Sequence, residues 1–238
     1  MKNKDFILIF LFNLLILALS SEEMIFNINY IGIPVSKLEI HDKNNVLKIN
    51  AKSTTITNFL SEEINNTYEI NYSEDYLPLI YKKQINQVKF RENSITTYKQ
   101  NSATYYDSIS KIEDFYQTEQ DSREIFTALF YIRYLNLKEK QTINIDVNRN
   151  LWKVETKFVN YSTLNSPIGK KQCFLIKLSF KKVLYRNDYK SDILSNNLVS
   201  DINNLYFWIT NDAQRLPLKA KYDMSPFSVI WLLTNYHN

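Results

Sequence analysis

From residue 26 onward, apolar and polar residues alternate with a period of two in one short segment after another. Phe26, Ile28 and Tyr30 alternate with Asn27 and Asn29, and Leu38 and Ile40 alternate with Lys37, Glu39 and His41. After Asp42-Lys43-Asn44-Asn45 the pattern resumes, with Leu47, Ile49 and Ala51 set against Lys48, Asn50 and Lys52. Successive side chains of a strand point to opposite faces, so each segment predicts a strand with one apolar face and one polar face. The same alternation recurs at 84–90, 94–99, 142–147, 152–159, 172–180, 205–210, 216–223 and 228–233. One wet face suits antiparallel sheets, because parallel sheets are covered on both sides. So many hairpins predict a mainly β fold built on an antiparallel, strongly curved sheet, either a half-barrel or a nearly closed barrel.

One segment leaves this pattern. Asp121-Ser122-Arg123-Glu124 reads as a helix start, with Asp121 as N-cap and Glu124 at the capping-box position. Ile125, Phe126, Leu129, Phe130 and Ile132 then form a wide apolar stripe at helical spacing, predicting about three turns. In a β protein such a helix buries its stripe against the sheet or plugs the concave side. If it covers a ligand cavity, the lining residues are Phe126, Leu129, Phe130 and Arg133. Arg133 has three readings, a solvent-reaching guanidinium, a structural ion pair and an anion-binding group.

Composition refines this picture. The chain has 238 residues with only two glycines, Gly32 and Gly169, and its five prolines lie singly. No linker divides it, so residues 21–238 are expected to form a single β-rich domain. Turns that need a positive φ fall to asparagine, which tolerates the left-handed region best among other residues. Asn44-Asn45, Asn93, Asn148 with Asn150, Asn203-Asn204 and Asn211-Asp212 all stand where strand patterns break.

The first twenty residues carry an address. Lys2 and Lys4 precede an apolar run from Phe6 to Leu19, broken only by Asn13, and Ala18-Leu19-Ser20 ends it with small residues. This is the grammar of a secretory signal cleaved after Ser20, with an uncleaved N-terminal anchor as the alternative. Its removal takes away Lys2, Lys4 and Asp5 and leaves a weakly basic chain whose formal charge of +4 falls by one. The charge is dispersed, which argues against nucleic acid as a partner. The expected location is the periplasm or cell envelope, with no membrane span left after cleavage.

The catalytic inventory is short. His41 faces solvent by its strand phase and His237 is penultimate, so no His/Cys set offers convergent zinc ligands, and no cofactor is expected. Cys173 is the single cysteine and lies in an apolar run, where it reads as a buried, inert hydrophobe. Two distant glycines cannot build a phosphate loop or a nucleophile elbow. Adjacent acidic pairs at Glu62-Glu63, Glu74-Asp75 and Glu113-Asp114 would point to opposite faces of a strand. Glycosidase carboxylates come from distant positions, so a hydrolase reading survives this inventory as a minor alternative.

Several segments resemble the bacterial exported family known as domain of unknown function 3108. Phe26 to Val35 is similar to its first hairpin, a strand running into Gly-Ile-x-Val, although Ser36 stands where a second glycine is common. Asp121 to Leu135, with Phe130-Tyr131-Ile132-Arg133, resembles its Asp-x-x-Ser…Tyr-x-Leu-Arg helix, and Gly169 to Cys173 a glycine leading into a strand. Leu205 to Asp212, with Arg215-Leu216-Pro217-Leu218, resembles its Trp-x-(Ser/Thr)-x-Asp…Arg-x-Pro-Val element. The last strand follows Ser225-Pro226-Phe227 rather than the usual glycine. The resemblance implies an exported, mostly β domain with no assigned reaction and no catalytic residues. Together these readings predict a non-catalytic envelope protein that binds an apolar ligand such as a lipid, or an envelope partner. A structural or assembly protein is the alternative, and a polysaccharide hydrolase the remote one.

Overall fold

The computed structural model describes residues 21–55, 63–184, 186, 191–224 and 227–238. Residues 1–20, read from the sequence as a secretory signal, lie outside these residues. Eight strands follow one another as hairpins: β1 (Ser21–Tyr30), β2 (Ile33–Lys43), β3 (Val46–Ser53), β4 (Ile64–Tyr72), β5 (Pro78–Gln87), β6 (Arg91–Lys99), β7 (Ser102–Asp107) and β8 (Ile112–Gln117). The two-residue β9 (Arg123–Glu124) leads into helix α1 (Ile125–Ile132). β10 (Gln141–Val147), β11 (Asn150–Ser166), β12 (Gly169–Leu184), the short helix α2 (Ile193–Leu198), β13 (Asn204–Thr210), β14 (Pro217–Met224) and β15 (Phe227–His237) complete the chain.

All fifteen strands belong to one mainly antiparallel sheet, in the order 8-7-6-5-4-3-2-1-15-14-13-12-11-10-9. Two hairpin series therefore meet where β1 pairs with β15. The free edges are β8 and β9, consecutive in sequence yet not hydrogen-bonded to each other, so the sheet is barrel-like but not closed. Side chains bridge this seam instead. Tyr98 on β6 and Tyr116 on β8 both donate to Asp146 Oδ2 on β10, at 3.1 and 2.6 Å.

The predicted alternation sets the inner face. Phe26 stands opposite Leu38, Ile40 opposite Ile49, and Ile49 opposite Tyr68, all buried. Continuing the same rows outward changes their character: Tyr68 faces Lys83, which faces Ser94, and Ile85 faces Glu92. The inner surface is thus apolar over β1–β4 and polar over β5–β6. Helix α1 lies inside the curve, with seven of its eight residues buried and Phe126 against Tyr68 at 5.0 Å between centroids.

Three details differ from expectation. The N-cap of α1 is Glu124, whose carboxylate accepts from the Thr127 N–H, and Asp121 instead accepts from Asn144 Nδ2 at 2.8 Å. Residues 123 and 124 pair in parallel with Ile145 and Asp146, and this ladder delays the helix by one turn, leaving eight residues rather than three full turns. Of the expected asparagine turns, Asn44, Asn45 and Asn148 adopt positive φ, but Ile31, Tyr76, Lys111, Arg149 and Arg215 do so too. Turn geometry has been imposed on residues with no local preference for it, at a cost offset by the surrounding sheet.

Candidate functional site

Helix α1 rises about 1.5 Å per residue, so its eight residues span about 12 Å. Along that length it touches three different environments inside the sheet.

At its N-terminal end is a polar chamber lined by Tyr81, Lys83, Glu92, Tyr105, Tyr116, Glu124, Asp146 and Ser195 among others. Its free volume, about 40 Å³, has room for roughly three waters at 10–15 Å³ each. Lys83 Nζ donates to Asn148 Oδ1 at 3.1 Å, Ser191 Oγ at 3.3 Å and Asp192 Oδ2 at 3.4 Å, with Glu92 at 3.9 Å. Burial alone would lower the pKa of this amine. The charges of Glu92 and Asp192 outweigh it and hold the Lys83 amine above its ordinary value, which favours the protonated form. Asp192 accepts from Tyr68 Oη at 2.6 Å and Ser195 Oγ at 2.5 Å; burial opposes its charge, but Lys83 and these donors hold its carboxyl below the ordinary range. Burial pushes Glu124 up to about 7 and also raises Asp146. Glu124 Oε2 and Tyr81 Oη both lie buried without a hydrogen-bond partner, which suits a chamber that holds water.

Beneath the middle of α1 is a small apolar cavity of about 30 Å³. Phe26, Ile40, Phe207, Pro217, Ala220 and Trp231 of the sheet line it, together with Phe126, Leu129, Phe130 and Arg133 of the helical segment. All four residues expected to line a cavity therefore meet at one. The space accommodates no acyl chain unless α1 moves.

Arg133, just past the last helical residue, also lines a wider opening of about 310 Å³ at the end of the sheet. This mouth is walled by Glu22, Asp42, Tyr72, Glu74, Tyr76, Tyr134 and Tyr236 with neighbouring turn residues. Arg133 is 2% exposed and donates through Nη1 and Nη2 to the two Glu22 oxygens at 2.7 Å each. It also donates to the carbonyls of Arg215 at 2.9 Å and Gln214 at 3.1 Å. Burial works against its charge, yet the Glu22 carboxylate raises the guanidinium above its ordinary value. Of its three sequence readings, burial overturns the solvent-reaching guanidinium and the geometry assigns the structural ion pair, which forms the floor of the mouth and the roof of the apolar cavity.

A family profile described as "Protein of unknown function (DUF3108)" matches residues 25–226. The chain belongs to the DUF3108 family. No curated protein matches it. Among solved structures it is similar to a β-barrel-like protein of domain of unknown function DUF1849 from Brucella abortus, with a TM-score of 0.59 over 92% of this chain and 98% of the other. The identity there is 7%, so the likeness shows the fold alone. For this DUF3108 chain the fold is thus shared with another uncharacterised family, and no activity comes with it.

The polar chamber was missed in the sequence, although a signal exists. Tyr81, Lys83 and Ile85 occupy the inward phase of β5, and Glu92, Ser94 and Thr96 the inward phase of β6. A lysine and a glutamate in the buried phase of adjacent strands mark a polar interior. The mouth has no comparable signature, because its residues come from the strand ends and turns of distant hairpins. Cys173 is fully buried, and burial pushes its thiol up to about 11. His41 keeps an exposed side chain near Glu23. Among the described residues no group of three or more His, Cys, Asp or Glu could hold a metal ion.

Proposed function

We propose that this protein is an exported, non-catalytic binding module of the cell envelope, whose interior takes an apolar or amphiphilic ligand when α1 shifts. One observation carries the reading. The buried face of α1 is incompletely packed against the sheet, and the residual cavity is bounded by aromatic and aliphatic side chains alone, apart from Arg133. Close packing is the rule in protein interiors, and an apolar void beneath a short helix at the mouth of a barrel-like sheet suits a ligand site. Ligand entry from the mouth displaces the Arg133 floor and the helix together. The signal-like residues 1–20 support export.

A hydrolase reading finds less support. Glu124 and Asp146 stand side by side on β9 and β10, but the chamber they share holds a few waters and not a sugar ring. The assembly reading has one observation in its favour: Ile95, Tyr106 and Phe115 expose apolar surface on adjacent strands at the β8 edge, Phe115 to 64%. Analysis of the protein recovered from the envelope fraction tests the main reading. A bound lipid and an intact mass starting at Ser21 are expected. Protein free of lipid that also fails to take up dodecanol overturns the ligand claim, and capture of a protein through Phe115 would favour assembly.

A further inference from the structure

The mouth above Arg133 has an imbalance that the apolar cavity does not explain. Glu22 and Asp42 are directly opposite one another on β1 and β2, where like charges repel. Among the described residues Arg133 is the single cation lining the mouth, and both guanidinium arms that reach a carboxylate go to Glu22. Asp42 takes a hydrogen bond from Tyr72 Oη, while Glu74 is exposed on the rim. Among the described residues three carboxylates therefore line the mouth with one guanidinium, and only Glu22 is paired with it. Beside them runs a stack of tyrosines: Tyr72 on Tyr76 at 4.8 Å and Tyr76 on Tyr134 at 5.5 Å between centroids. Tyr134 ends the stack 61% exposed.

Two carboxylates outside the Arg133–Glu22 pair, beside the exposed Tyr134 ring, attract one class of ligand, and Arg133 itself already lies 5.8 Å from the centre of that ring. An organic ammonium ion gains from the ring quadrupole when it lies within about 6 Å of the centroid, and its soft hydration shell is easily shed. Anions are repelled by the same carboxylates. We propose that the mouth is a binding site for an organic ammonium group, held by Asp42 and Glu74 against the exposed Tyr134 end of the stack. This deepens the ligand reading above by supplying a site for the polar head, and it stands whether or not a tail enters the apolar cavity.

The test titrates the mature protein with choline and with 3,3-dimethylbutan-1-ol, its uncharged isostere, by calorimetry. Choline is expected to bind at least about tenfold more tightly than the alcohol, the scale of a partly desolvated cation–π contact. Asp42→Asn and Tyr134→Ala should each weaken choline by about tenfold while leaving the circular dichroism spectrum and melting temperature nearly unchanged. Glu74→Gln, on the exposed rim, should weaken it less and serves if Asp42→Asn does not fold. Equal affinity for choline and the alcohol, no choline binding, or full affinity in both Asp42→Asn and Tyr134→Ala overturns the proposal. Dodecyltrimethylammonium and dodecanol separate the two readings and the two sources of the head group. Choline binding without dodecanol binding keeps the ammonium site, assigns it to a free amine and removes the tail site. Dodecanol binding with no preference for either ammonium probe does the reverse.

Discussion

The Arg133 guanidinium is 2% exposed with Glu22 in place, and replacing Glu22 by alanine takes away the carboxylate paired with it while its hydrogen bonds to the Gln214 and Arg215 carbonyls remain. Breaking a buried ion pair from one side costs about 3–5 kcal/mol, because the remaining charge stays desolvated. Glu22→Ala should fall in that range. Arg133→Met removes the charge and leaves Glu22, whose side chain is 17% exposed and can hydrate, so about 2–3 kcal/mol is expected, chiefly from the two carbonyls left without a donor. The double variant Glu22→Ala/Arg133→Met should cost less than the sum of the singles by about 2 kcal/mol, since the second change relieves the stranded charge. Urea unfolding reads all four proteins, with a constant m-value confirming that only stability has changed. Additivity within about 0.5 kcal/mol would refute the ion-pair floor. So would a Glu22→Ala cost below about 1 kcal/mol, the range of an exposed pair.

Three further outcomes follow from the same interior. Leu129→Ala should cost about 2–3 kcal/mol, the low end for a buried leucine, because the cavity beneath it already exists; a loss near 5 kcal/mol in urea unfolding would mean a fully packed helix. Glu124 titrates near 7 in the folded protein against an ordinary 4.5, so the folded state binds the extra proton between those values. Stability should therefore fall as pH rises from about 4.5 to 7 and level off above it, and Glu124→Gln should flatten that slope in melts across pH; an unchanged slope would contradict the assignment. Cys173 should resist thiol reagents in the native protein for hours and react promptly once unfolded, and Cys173→Ser should cost about 1–3 kcal/mol.

The strands were legible in the sequence because one face of an antiparallel hairpin is wet, and Phe26-x-Ile28 or Leu47-x-Ile49 record that directly. The helix was legible as an apolar stripe, and with it the four residues that meet at the apolar cavity. Its start was misplaced because the pairing of Arg123 and Glu124 with β10 is a tertiary contact that no local capping pattern encodes. The same limit hid the role of Arg133: its partner Glu22 lies 111 residues away and meets it only through the tertiary packing of α1 inside the sheet. The polar chamber was readable in principle from the phase of Lys83 and Glu92, whereas the tyrosine-lined mouth is assembled from turns and strand ends with no shared periodicity.

Hydrogen exchange across α1, measured with and without extracted envelope lipid, tests the central claim most directly. A helix that must move to admit a ligand opens more often than its surroundings. The amides of Ile125–Ile132 should exchange faster than those of β10 and the first half of β11 in the lipid-free protein, and slow markedly when lipid is added. Full protection of α1 that does not respond to lipid would make the helix plain core and contradict the account.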